Sequence, residues 1–224
     1  MQSIEVDMDF QNICSTTGHH RLLIQGPKNI IEVVVSVPEQ VDTKFFALIG
    51  HPHPLQEGTM DNKVVTTTGR SLLTLHFPVI RFNFRGVGQS GGEFDQGVGE
   101  TEDMVYLIHL WQQAYPAAKL ILSGFSFGSY VAFRAAQVVN PQCLILIAPP
   151  VHRFTYDLTQ VKSLPTVIFQ GDIDEVVPAQ EVAQFAQSFE QPIPLEWFLD
   201  TGHFFHGKLI ELREAVVKWV QRCL

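Results

Sequence analysis

Ser126 sits in Gly124-Phe125-Ser126-Phe127-Gly128, directly after the apolar run Leu120-Ile121-Leu122 and ahead of a helix-patterned segment. A serine on a sharp strand-to-helix turn exposes its hydroxyl at the top of a sheet, at a helix N-terminus. The two glycines leave room for strand and helix to cross closely, and the Phe127 N–H can face a developing oxyanion. A serine hydroxyl is a poor nucleophile without a base. On a turn of this kind the acid and then the base follow in chain order. Gly171-Asp172-Ile173-Asp174 ends one later apolar run, and Asp200-Thr201-Gly202-His203 ends the next. Ser126 as nucleophile, Asp174 as acid and His203 as base would carry out acyl transfer.

Each loop holds a competitor. Asp172 lies at the strand end, where a carboxylate caps the turn, while Asp174 lies deeper and can reach the histidine. His206 borders the last helix, while His203 directly follows Gly202. A second oxyanion donor has to come from His51-Pro52-His53-Pro54-Leu55. Pro52 and Pro54 have no N–H, which leaves His53 or Leu55. His51 and His53 stand two apart on a proline-rich turn with no nearby Cys or Asp, so they read as hydrogen-bonding groups and not as a metal pair. Gly86, Gly88 and Gly91 have dinucleotide-fingerprint spacing, but no helix starts there. In the same segment Arg85 is expected to pair with a carboxylate and pin a loop beside the site.

These residues need a frame. Val6–Ser15, Arg21–Gln25, Ile30–Val37, Lys44–Gly50, Phe77–Phe84, Lys119–Ser123, Cys143–Ala148, Thr166–Gln170 and Leu195–Leu199 read as strands. Asn62–Leu75, Gly99–Tyr115, Phe127–Val139, Ala179–Phe189 and Lys208–Cys223 read as helices. Alternation after Lys44 implies a mostly parallel sheet covered on both faces, with an antiparallel start at one edge. In such sheets ligands bind outside the carboxyl ends of the strands, where Ser126, Asp174 and His203 all lie. No linker or repeat divides the chain, so one domain is expected over residues 1–224.

The 224 residues are 46% apolar with a net charge of −8, from 15 basic and 23 acidic side chains. This is enough to bury a core, and it argues against a nucleic-acid partner, which needs a basic footprint. Cys14, Cys143 and Cys223 share no spacing that suggests a disulfide framework or zinc knuckle. The acidic N-terminus does not resemble a signal peptide, and no run approaches a membrane span. A cytoplasmic location is the expectation, with monomer and homodimer both open.

The combination His51-Pro52-His53-Pro54, Gly58-Thr59-Met60, Asn62-Lys63-Val64 and Asn83-Phe84-Arg85-Gly86-Val87-Gly88 with Ser90 resembles the small, nearly lidless bacterial α/β-hydrolases. These are related to dienelactone hydrolases and serine aminopeptidase-like esterases. The likeness spans Ile30 to Leu224. It implies the α/β-hydrolase fold, an α/β architecture whose central, mostly parallel sheet has about eight strands. It implies Ser126, Asp174 and His203 as the triad, with oxyanion donors at Phe127 and His53. Dienelactone hydrolases proper use a cysteine where this chain has Ser126. No cofactor is implied. The short stretch Pro149–Pro165, where related proteins insert a lid, points to an open site, with Val151, Phe154, Tyr156 and Leu158 as acyl-pocket candidates. Hydrolysis of a small-molecule carboxylic ester or thioester is the leading expectation, ahead of a short-peptide peptidase and a binding module that kept the fold.

Overall fold

A computed structural model describes residues 6–157 and 163–224. The strands are β1 (Gly18–Gln25), β2 (Ile30–Val37), β3 (Phe45–Gly50), β4 (Val79–Phe82), β5 (Lys119–Phe125), β6 (Cys143–Ile147), β7 (Thr166–Gly171) and β8 (Leu195–Phe198). The helices are α1 (Val6–Ser15), α2 (Lys63–Leu73), α3 (Val98–Ala114), α4 (Phe127–Val139), α5 (Ala179–Gln187) and α6 (Leu209–Cys223).

The strands form one sheet in the order β1-β2-β4-β3-β5-β6-β7-β8. β2 is antiparallel to both β1 and β4, and every pairing from β4 onward is parallel. The composition explains this division. β3 and β6 are apolar throughout, β5 and β7 mostly so, and all four are buried along nearly their whole length, which a strand covered on both faces requires. β2 is rich in Ile and Val, whose stiff branched side chains suit a pleated surface. β1 alternates toward its exposed edge.

The core is split by the sheet. On one face α1, α3, α4 and α5 pack through residues such as Phe10, Trp111, Phe133 and Val182. On the other, α2 and α6 pack through Val64, Leu72, Leu212 and Val216, and also touch each other. Trp111 stacks on Phe46 at 5.4 Å between ring centroids and meets Phe10 edge-on at 6.1 Å.

Val6–Ser15, read as a strand, is helix α1. Phe10 and Cys14, one helical turn apart, are both buried against the α3 face of the sheet. That contact outweighs the local pattern. The edge hairpin is therefore β1–β2, closed where the Gly26 N–H donates to the Asn29 carbonyl at 2.9 Å. The expected strand over Phe77–Phe84 shortens to Val79–Phe82, because Asn83 turns into a polar network described below. Among the described residues no helix is long and apolar enough to cross a membrane.

Candidate active site

Ser126 joins β5 to α4 with φ 52° and ψ −122°, a conformation L-residues rarely adopt. Such strain costs about 1–3 kcal/mol and persists only where the surroundings over-determine it. Two glycines do so here. A Cβ on Gly124 would collide with the Gly128 carbonyl, and one on Gly128 would collide with the Gly50 backbone. The chain can thus bend only with glycine at both positions. The Ser126 N–H donates to the Ile147 carbonyl at 2.8 Å, tying the bend to β6.

His203 reaches this serine from the loop after the edge strand β8. Its Nε2 lies 3.1 Å from Ser126 Oγ and its Nδ1 lies 2.8 Å from Asp174 Oδ2. Ionised Asp174 only accepts hydrogen bonds, so Nδ1 carries the proton and Nε2 is left as an acceptor for the serine hydroxyl. Burial pushes the Asp174 carboxyl up, but His203 and the N–H groups of Val176 and Val177 outweigh it and hold the group below its usual range. Asp174 Oδ1 accepts from Val176 and Val177 at 2.8 and 2.7 Å, and Oδ2 also accepts from Gln170 Nε2 at 2.9 Å. The His203 N–H donates to Glu175 at 3.1 Å, and Phe125 and Phe204 flank the imidazole at about 5 Å.

The competing residues have other work. Asp172 Oδ1 accepts from the Thr201 N–H at 3.1 Å, and the Ile173 N–H donates to the Thr201 carbonyl at 3.2 Å. Asp172 thereby stitches the loop after β7 to the loop after β8 and fixes the distance between acid and base. His206 is exposed, with its ring 6.0 Å from Phe204.

The loop after β3 and the turn after β5 each hold a backbone N–H near Ser126. The Leu55 N–H is spent on His53 Nδ1 at 3.2 Å, inside a single 3₁₀ turn over Pro54–Gln56. The His53 N–H has no acceptor among the described residues, nor does that of Phe127, the first residue of α4. The two rings touch at 5.1 Å. His51 is fully buried: its Nδ1–H donates to the Pro52 carbonyl at 2.7 Å and its Nε2 accepts from the Phe84 N–H at 2.9 Å. Burial pulls its pKa down to about 3, against the bond to Pro52, so it stays neutral. With both nitrogens engaged, it has none left for a metal.

The glycine-rich loop after β4 braces this arrangement. Glu32, buried inside β2, accepts from Arg21 at 2.6 Å, from Asn83 Nδ2 at 2.7 Å and from the Gln89 N–H at 2.8 Å. Asn83 Oδ1 in turn accepts from the Met60 N–H at 2.9 Å, and Ser90 Oγ donates to the Asn83 carbonyl at 2.7 Å. Burial raises the Glu32 pKa, but Gln89, Arg21 and Asn83 together bring it below its ordinary value. Arg85 grips buried Asp103 with two nitrogens at 2.7 and 3.1 Å, as its position suggested.

A shallow cleft over Ser126 is lined by His53, Gln56, Phe127, His152, Arg153 and Phe154, with Pro150 and Val176 beside them. Of the acyl-pocket candidates, Phe154 faces the cleft. Tyr156 is buried against Phe133 and Phe185, Val151 packs on the core, and Leu158 lies outside the described residues. His152, Arg153, Gln56 and Val176 were missed. Each lies in a loop after a strand, the placement that could have found them. Two larger cavities of about 400 Å³ lie elsewhere, one at the amino ends of β7 and β8 and one between β4 and α2. Neither contains a triad residue.

Residues 60–163 match the α/β-hydrolase fold family. An α/β serine hydrolase without a lid from Xanthomonas campestris is 41% identical, with TM-score 0.88 over 93% of this chain and 96% of its own. An α/β serine hydrolase homologue from Coxiella burnetii is 40% identical, with TM-score 0.85 over 91% and 97%. An uncharacterized protein of Rickettsia prowazekii is 36% identical over 181 residues, 76% of each chain. The sheet order, the strained serine turn and these likenesses agree: the chain belongs to the α/β-hydrolase family and is similar to a serine hydrolase without a lid.

Proposed function

We propose that this hydrolase cleaves carboxylic esters or thioesters of small to medium substrates through an acyl-enzyme on Ser126. The observation that carries the reading is the unbroken relay from Asp174 Oδ2 through His203 to Ser126 Oγ, at 2.8 and 3.1 Å. His203 Nε2 takes the hydroxyl proton as Oγ attacks the carbonyl carbon. Asp174 holds the imidazole tautomer and stabilises the imidazolium. The unpaired N–H groups of Phe127 and His53 receive the negative charge of the tetrahedral oxygen. The C–O or C–S bond to the leaving group then breaks, and the departing oxygen or sulfur takes the proton from His203. Water, deprotonated by the same imidazole, releases the acid and restores Ser126. A cleft this open suits varied acyl chains better than one tightly enclosed ligand. The three cysteines are free, which fits a cytoplasmic location.

The test is turnover of p-nitrophenyl esters from acetate to decanoate, with Ser126→Ala alongside. Wild-type turnover with a loss of about a thousandfold or more in the variant supports the reading. Equal inactivity of both folded proteins rejects it and sends attention to short peptides.

A further inference from the structure

Of the described residues lining the cleft over Ser126, Arg153 alone carries a full charge, and none is a carboxylate. The chain as a whole has net charge −8, so its general field repels anions and this cation stands against it. The nearby acids are turned to other work: Asp174 to His203, and Glu175 to the His203 N–H. Among the described residues no carboxylate pairs with Arg153. Among them its side-chain hydrogen bond runs from Nε–H to His152 Nε2 at 3.0 Å.

That bond is made at a cost. With Nε2 accepting, His152 carries its proton on Nδ1, which is buried without a partner. An orphaned buried donor costs about 1–3 kcal/mol, and here it accompanies the bond that holds the exposed Arg153 guanidinium beside the cleft. The turn that presents Arg153 is also firm. Its N–H and that of Phe154 donate to the Pro150 carbonyl at 3.0 and 3.3 Å. The Phe154 ring stacks on Tyr130 at 4.5 Å and meets Phe127 at 5.4 Å. The positive charge of Arg153 is felt inside the cleft. After burial it is what depresses the imidazoles of His53 and His152 below their ordinary range.

We propose that Arg153 selects anionic substrates: esters whose apolar body lies along Phe127 and Phe154 and ends in a carboxylate that the guanidinium receives. This rests on the ester-hydrolase reading above and adds the substrate class. His152 acts as a positioning residue that aims the fork. The free nitrogens Nη1 and Nη2 suit a two-oxygen anion, with apolar and aromatic surface between it and the oxyanion donors.

Two matched pairs of esters test this, one with the charge on the acyl side and one with it on the alcohol side. They are mono-p-nitrophenyl adipate against p-nitrophenyl hexanoate, and 4-carboxyphenyl butyrate against phenyl butyrate. The measured quantity is the ratio of kcat/KM, anionic over neutral, in wild type divided by the same ratio in Arg153→Met. In at least one pair this quotient should reach about tenfold, the size of one charge-assisted hydrogen bond at a part-exposed site. The gain should appear mainly in KM. Arg153→Lys should keep part of it, and added salt should erode it. A quotient near one in both pairs, with neutral esters still hydrolysed, overturns the selection while the esterase reading stands. So does an equal loss on charged and neutral esters, which would assign Arg153 to the oxyanion or the fold. No turnover of any of the four esters by folded wild type overturns both readings.

Discussion

Replacing Asp174 by Asn removes a charge and reverses a donor while leaving the shape almost intact. The Val176 and Val177 N–H groups bond Oδ1 at 2.8 and 2.7 Å and will keep the amide oxygen on their side. The new NH2 then takes the place of Oδ2, facing the His203 Nδ1–H from 2.8 Å. Two donors cannot share that contact, so the imidazole moves its proton to Nε2, where it can no longer accept from Ser126. Restoring the productive tautomer costs the lost charge-assisted bond, about 1.5–3 kcal/mol, and an unpaired buried donor, about 1–3 kcal/mol more. The two together, about 2.5–6 kcal/mol, correspond to a fall of about two to four powers of ten in kcat. The assay is kcat/KM on p-nitrophenyl butyrate, with circular dichroism and Tm as controls for folding. A loss of less than about tenfold in a folded variant would refute the reasoning. Acid stability gives an independent check. The folded-state pKa of Asp174 is depressed, so its contribution is full above the unfolded value of about 3.9 and is lost as pH falls through the folded one. Asn at this position should flatten that part of the acid limb.

Other perturbations test the frame. His51 has a folded pKa of about 3 against about 6.5 in the unfolded chain, so between those values the unfolded state binds the extra proton. Stability should therefore climb with pH from about 3 to 6.5, and a His51→Gln titration of Tm should lose that slope; an unchanged slope would contradict the assignment. Glu32→Ala strands Asn83 and the Gln89 N–H and should cost about 3 kcal/mol in urea unfolding, with a fall in turnover because Met60 hangs from Asn83. A cost below about 1 kcal/mol would show that the network is dispensable. Gly128→Ala drives a methyl into the Gly50 backbone and should cost about 3 kcal/mol or more, read by the same unfolding curves; a neutral effect would mean the crossing is looser than described.

The relay was legible because its three members obey one placement rule. Ser126, Asp174 and His203 each follow an apolar run at the carboxyl end of a strand, and chain order names their roles. The central strands were legible for a similar reason: a run such as Phe45–Gly50 without alternation has few uses except a strand buried on both faces. Helix α1 was hidden because Val6–Ser15 reads locally as a strand. Phe10 packs against Trp111, about a hundred residues away, and no local spacing announces that contact. The structural histidine bond from Phe84 to His51 and the Glu32 hub join residues far apart in the chain, so no local spacing announces them. A carboxylate in the middle of Ile30–Val37 was nonetheless a visible oddity, since a buried Glu has to be paired. Arg153 and His152 follow two prolines in a loop with no motif, and their meaning depends on what else lines the cleft.

The most direct test of the relay is covalent labelling with a fluorophosphonate, followed by peptide mass mapping. The account predicts one adduct per chain on the peptide carrying Ser126, absent in Ser126→Ala and strongly slowed in His203→Ala. Labelling at another residue, or no labelling of the folded wild type, would contradict it.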